Sequence, residues 1–281
     1  MEKNRNQKKV DDEEVDIDLS DEFRLDKDDW IGRKHPGFAG DNQVAGEKGS
    51  TYQRSGGMLL PERLRLLATK AEKGTVPMSI ASRVNLGLAG SVLMELALRE
   101  KVKLGKKSKL TVIDSEPTGV DYLDTALRQI AHAGKERKAK YWVQKLGGNL
   151  LLDQVSSKLV TDGVLQDDSY RWLGLIKVRQ YPIVQIEDVM SLKKDVREAV
   201  FTENIDDIED HRRLMLLGLL NTCQLTPKLF SRDERKEAKK RIKTIMESDA
   251  LAKSVSEAAQ AVEAAVMGAT AGAVAASSAS S

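Results

Sequence analysis

The stretch "NLGLAGSVLMELALREKVKL", Asn85 to Leu104, decides the fold class. It opens on small residues (Gly87, Ala89, Gly90, Ser91), runs apolar, and closes on lysines alternating with apolar residues. A phosphate-binding loop needs a Lys-Ser/Thr pair where its helix begins, and "GLAGSVLM" has no lysine. A bilayer-spanning helix needs about 18 or more apolar residues in a row, and Glu95 breaks this run. Leu86, Gly90, Leu93 and Ala97 recur at intervals of three and four, which is the period of one helix face. The small residues let a neighbouring helix come close. The stretch therefore reads as a core helix, with Glu95 and Arg99 spaced to pair at i, i+4.

Outward from that helix, the chain reads as further helices and two hairpins. On its N-terminal side, "MLLPERLRLLATKAEKGTV" places Pro61 in a first helical turn and Leu64, Leu67 and Ala68 on one face, with Gly74 as the stop. On its C-terminal side, alternation at Val102 and Leu104, a Gly-Lys-Lys turn, and alternation at Leu110 and Val112 predict a hairpin with a basic tip. Helices follow at "VDYLDTALRQIAHA" and "NLLLDQVSSKLVTDGVL", the second stopping at Gly163, with the basic run Lys135–Lys140 read as an exposed first turn between them. "YRWLGLIKVRQYPI" reads as a second hairpin or an extended pair closed by Pro182, and helices return at "VMSLKKDVREAVF", "DHRRLMLLGLLNTCQL" and "SRDERKEAKKRIKTIMES", the last with Ile242, Ile245 and Met246 on one face. The fold class is mainly α: a single helical domain with a protruding β-hairpin and a disordered N-terminal leader. Residues 1–56 are that acidic, then glycine-rich, leader; residues 57–249 are the helical domain; residues 250–281 are an Ala/Ser-rich C-terminal helix and tail.

Charge divides the chain. Residues 1–30 carry 12 carboxylates against 6 cations, a net of −6, whereas the chain as a whole is +2, so the remainder carries +8. A basic body favours anionic partners. The single cysteine, Cys223, allows no internal disulfide and points to a reducing compartment. The first twenty residues lack the apolar segment of a signal peptide.

Catalytic constellations do not assemble. There is no GxSxG, HExxH, CxxC or strand-borne GxGxxG, and His35, His132 and His211 share no helical spacing. Asp114, Glu116, Asp121 and Asp124 crowd one turn, where carboxylates either cap backbone N–H groups or bind a cation; capping is the reading taken. His211 reads as a surface residue at a helix start. No catalytic residue, metal site or cofactor is expected.

In order along the chain, "LLPERLRLLA", "GLAGSVLMELALREKVKL", "DSEPTGVDYLDTAL", Trp142, "KLVTDGVL", "YPI" and "RRLMLLGLL" resemble the Golgi phosphoprotein 3 family over Met58 to Met246. The Ala/Ser-rich ending is similar to that of its bacterial members. The resemblance implies an all-helical, non-enzymatic adaptor that is cytoplasmic and peripheral to a membrane, on the Golgi face only if the source is eukaryotic. It implies phosphatidylinositol 4-phosphate binding and protein tails as further partners. The family's headgroup site uses a tryptophan and three arginines, and carried over position by position it falls on Ile80, Ala89, Asn149 and Leu152. None of the four family residues is retained, so preference for that one lipid over other anionic lipids is not expected. Arg83 is the nearest cation in sequence.

The family's membrane-entering hairpin is better matched in kind. Arg171, Trp172, Leu173, Leu175, Lys177 and Arg179 offer apolar residues flanked by cations, suited to an anionic phospholipid surface. Two rival readings differ in class. A helix followed by a basic hairpin is also the order of a winged helix that binds nucleic acid, although Lys158 leaves its helix little positive surface, so no nucleic acid is expected. The other is a protein-interaction scaffold without lipid binding.

Overall fold

The computed structural model describes residues 57–70, 73–105, 109–173, 175–203, 210–248, 262 and 264–271. The acidic leader and the basic tip of the first hairpin lie outside the described residues. The expectation of a mainly helical body carrying β-hairpins is met.

Helix α1 (Leu60–Ala68) is buried along its whole length, charged residues included. Pro61 sits in its first turn, where a missing N–H costs nothing. The Glu62 carboxylate turns back to accept from the Leu59 N–H at 2.8 Å and from the Tyr122 hydroxyl at 2.8 Å. Arg63 donates to the Met58 carbonyl and pairs with Asp210 at 3.2 Å. Arg65 donates to Ser156 Oγ and to the Gly74 carbonyl, both at 2.9 Å, and to Thr69 Oγ1. These bonds let a polar helix lie inside the body, because a buried polar group costs little only when it is partnered.

The helix ends earlier than the Gly74 stop read from sequence. Thr69 is already extended, and Lys228 Nζ donates to the Ala68 carbonyl at 2.9 Å. Gly74 serves the connecting loop instead. Its φ is +60°, and a Cβ there would come within 1.8 Å of the Tyr181 carbonyl.

Helix α2 (Met78–Leu98) spans 21 residues and is the central element. From Gly87 to Ala97 every residue is buried, as in a helix surrounded by others. The small residues do what their spacing predicts. A Cβ at Gly87 would stand 2.4 Å from Cys223 Sγ, and one at Gly90 would stand 2.1 Å from Val266. Val266 belongs to helical residues 264–271 of the Ala-rich ending, where Val262 and Val266 are fully buried.

Strands β1 (Val102–Gly105) and β2 (Lys109–Val112) form the first hairpin, with Val102 opposite Val112 and Leu104 opposite Leu110. A third strand, β3 (Arg137–Lys138), joins β2 antiparallel, so the sheet order is β1-β2-β3. Of the basic run expected as an exposed first turn, Ala139 and Lys140 do open the helix Ala139–Leu146, whereas Arg137 and Lys138 pair as a strand. Two residues are too short to show alternation, and Lys109 lies directly opposite Lys138, a like-charge pair that propensity would not select.

Helices α3 (Asp121–Ala131), α4 (Ala139–Leu146) and α5 (Asn149–Thr161) follow. Strands β4 (Tyr170–Trp172) and β5 (Ile176–Val178) form the second hairpin. Helices α6 (Ile186–Phe201), α7 (His211–Thr222), α8 (Thr226–Leu229) and α9 (Arg235–Met246) complete the described body. The Asp210 carboxylate caps α7 by accepting from the Arg212 N–H. In α9, Ile242 and Ile245 are buried as their spacing predicts.

A surface ion pair joins α6 to the start of α9, in addition to the Arg241 bonds to the Val200 and Thr202 carbonyls. Arg197 makes a two-pronged pair with Glu234, and the Glu234 carboxyl is held down at about 2, from an ordinary 4.5, first by that hydrogen bond. Its contribution is full above the ordinary carboxylate range and is lost as the pH falls toward 2. The pair is solvent-accessible, so its worth stays below about 1 kcal/mol. The melting difference between wild type and Glu234→Gln should therefore be small at about pH 6 and vanish near pH 2. A difference that grows on acidification would refute this role.

Candidate membrane-binding face

The β4–β5 hairpin pairs Tyr170 with Val178, Arg171 with Lys177 and Trp172 with Ile176. At its base, Gln166 N–H donates to the Pro182 carbonyl and Asp168 N–H to the Gln180 carbonyl, and Leu165 bridges Ile183. Beyond the strands its tip turns outward. Leu173 is 74% exposed and Leu175 is 87% exposed. Leu173 also holds φ at +49°, the left-handed region that a leucine rarely enters. Leaving two leucines in water is unfavourable for the free protein. A partly apolar surface would relieve that cost.

The hairpin is fixed to the body by an ion pair. Arg179 Nε lies 2.7 Å from the Asp153 carboxylate on α5. The start of α5 is in turn bonded to α2, because Asn85 Nδ2 donates to Asn149 Oδ1 at 3.2 Å. Gly147 makes room for this join, since a Cβ there would meet the Val143 carbonyl at 2.8 Å and Leu86 at 3.1 Å.

Other residues singled out by the sequence have structural partners. Asp114 accepts from the Glu116 N–H and pairs with Lys101; Asp124 accepts from the Thr118 N–H and hydroxyl. These bonds hold both carboxyls below their usual range, for Asp114 through Lys101 first and for Asp124 through Thr118 against the effect of burial. Among the described residues no group of three or more His, Cys, Asp or Glu is placed to hold a metal ion. His211 is exposed at the start of α7, as read. A cleft of about 500 Å³ lies between Met58, Glu62, Arg99, Val120, Lys158 and Asp188. Its Glu62 carboxyl is pushed up by burial, and its Lys158 is paired with Asp162.

The model of the Golgi phosphoprotein 3 (GPP34) family matches residues 60–264. The chain belongs to the Golgi phosphoprotein 3 family. It is also similar to vacuolar protein sorting-associated protein 74 of Schizosaccharomyces pombe, at 24% identity over 186 residues covering 58% of this chain. The alignment spans 54% of that relative, so the chain covers about half its length.

The four positions that the Golgi phosphoprotein 3 resemblance assigns to a headgroup do not form a donor-lined site here. Ile80 and Leu152 are half-buried and pack on the core, and Ala89 is fully buried. Only Asn149 is exposed with a polar side chain, and its amide oxygen is taken by Asn85. Arg83, the nearest cation in sequence, turns back along its own helix and donates from Nη2 to the Ser79 carbonyl. Sequence reasoning did not single out Met78 and Leu150, which are 94% and 72% exposed at the starts of α2 and α5. An apolar residue on the wet side of a helix start was the only signal available.

Proposed function

We propose that this family member is a non-enzymatic adaptor that binds anionic membranes from the water side through its β4–β5 hairpin. The observation that carries the reading is the pair of outward leucines, Leu173 and Leu175, at the tip of a hairpin flanked by Arg171 and Arg179. Trp172 and Lys177 lie on its two strands. No helix among the described residues is long and apolar enough to cross a bilayer, so the attachment proposed is peripheral. Phosphatidylinositol 4-phosphate is one anionic lipid among others for this surface, because Ile80, Ala89 and Leu152 supply no donor to a phosphate. A duplex-binding reading is disfavoured by α5: its sole cation, Lys158, is paired with Asp162.

Leu173→Ser combined with Leu175→Ser should weaken sedimentation with phosphatidylcholine–phosphatidylserine vesicles at least about a hundredfold, from roughly 1.5–3 kcal/mol per buried side chain. Both side chains face water, so the melting temperature should not move. Binding of the wild type should weaken with added salt and follow total anionic lipid. Undiminished flotation of a folded double variant rules the reading out, as does salt-resistant binding confined to phosphatidylinositol 4-phosphate. A DNA duplex serves as the control and should not shift.

A further inference from the structure

The four most exposed large apolar residues among those described are Met78 (94%), Leu175 (87%), Leu173 (74%) and Leu150 (72%); the next, Val184, is at 52%. Two belong to the hairpin and two do not, yet all four lie on elements bonded to one another. Leu150 is one turn before Asp153 on α5, and Asp153 holds Arg179 at the exit of the hairpin. Asn149, beside Leu150, holds Asn85 of α2. Met78 stands seven residues before Asn85, on the same stripe of α2 and about 10 Å along its axis. Two ties thus link the N-terminal half of α2 to the start of α5, and α5 to the hairpin.

From this juxtaposition we infer that Met78 and Leu150 form a second membrane anchor, entering the same anionic bilayer as the hairpin. The inference rests on the hairpin reading and extends it to the helical body. A bilayer suits the arrangement better than a peptide, because the apolar residues protrude from three separate elements and none of the four lines the cleft. Charge agrees. Arg171 and Arg179 are exposed on the hairpin and Lys145 on α4, the helix before α5, and the Asp153 carboxylate is paired with Arg179. Two anchors at separate points would also fix the tilt of the body on the surface, which one hairpin cannot do alone.

The test uses the full chain with phosphatidylcholine–phosphatidylserine vesicles and three variants: Met78→Ser with Leu150→Ser, Leu173→Ser with Leu175→Ser, and Leu150→Cys carrying an environment-sensitive fluorophore. Cys223 is buried, so label goes to the introduced thiol. The helix-start pair should lose at least about tenfold in vesicle affinity at an unchanged melting temperature. The label on Leu150→Cys should shift to the blue on vesicles and stay unshifted with pure phosphatidylcholine. Full affinity of the helix-start pair with an unshifted label, while the hairpin pair loses binding, overturns the second anchor and leaves the hairpin reading intact. Loss in the helix-start pair alone overturns the hairpin reading. A change in sedimentation coefficient without lipid, in place of lost vesicle binding, assigns Met78 and Leu150 to self-association and overturns the inference.

Discussion

Glu95→Ala should cost the fold about 3–5 kcal/mol, seen as a fall in the urea midpoint at unchanged slope and a melting temperature lower by about 10 °C or more. Glu95 is fully buried in the last turn of the core helix. Its Oε1 accepts from the Leu60 N–H at 2.9 Å and from Arg212 Nε at 2.8 Å, and its Oε2 from Arg212 Nη2 at 3.1 Å. Arg99 Nε stands 3.8 Å away, the i, i+4 neighbour that the sequence indicates. One carboxylate therefore joins α1, α2 and α7. Alanine would strand a first-turn N–H of α1, which has no intrahelical acceptor, and deprive the half-buried Arg212 guanidinium of its carboxylate. Glu95→Gln keeps an acceptor for Leu60 and should cost less, about half as much. If Glu95→Ala melts like the wild type, the three helices are held by apolar packing alone.

Arg65→Ala is expected to follow closely, at about 3–5 kcal/mol. The Arg65 side chain is 1% exposed, and its guanidinium serves Ser156 on α5, the Gly74 carbonyl in the loop and Thr69 at the end of α1. It also lies over the Tyr181 ring, 5.9 Å from the centroid. Burial lowers its pKa to about 10, which leaves it charged at neutral pH. Alanine removes the donors and leaves a void; Arg65→Met refills most of the volume and isolates the lost hydrogen bonds. Alanine should therefore be the worse of the two by about 1–3 kcal/mol in chemical denaturation. Equal losses would assign the whole effect to hydrogen bonding.

The elements that sequence foretold are those whose cause is local. Helix α2 is written in its small residues and its period of three to four, and the first hairpin in the alternation of its strands. The polar interior of α1 was not foretold, because its partners are distant: Glu62 meets Tyr122, Arg63 meets Asp210, and Arg65 meets Ser156. Periodicity marks Leu64 and Leu67 but cannot tell that the intervening charges face protein instead of water. The same limit hid β3, where strand pairing with β2 overrides a basic dipeptide of no strand character. Of the candidate face, the hairpin leucines were legible because they interrupt a run of cations. Met78 and Leu150 were not, because only the packing of α2 and α5 leaves them in water.

The close meeting of Gly87 with Cys223 gives the protein an internal clock. The only thiol in the chain is fully buried, donates to the Arg83 carbonyl at 3.4 Å, and has its pKa pushed up to about 12 by burial. A thiol in that state does not react with alkylating reagents, because the thiolate is the nucleophile and no path reaches it. Alkylation at Cys223 therefore records how often α2 and α7 part, and a mass spectrometer can count those openings without any introduced label.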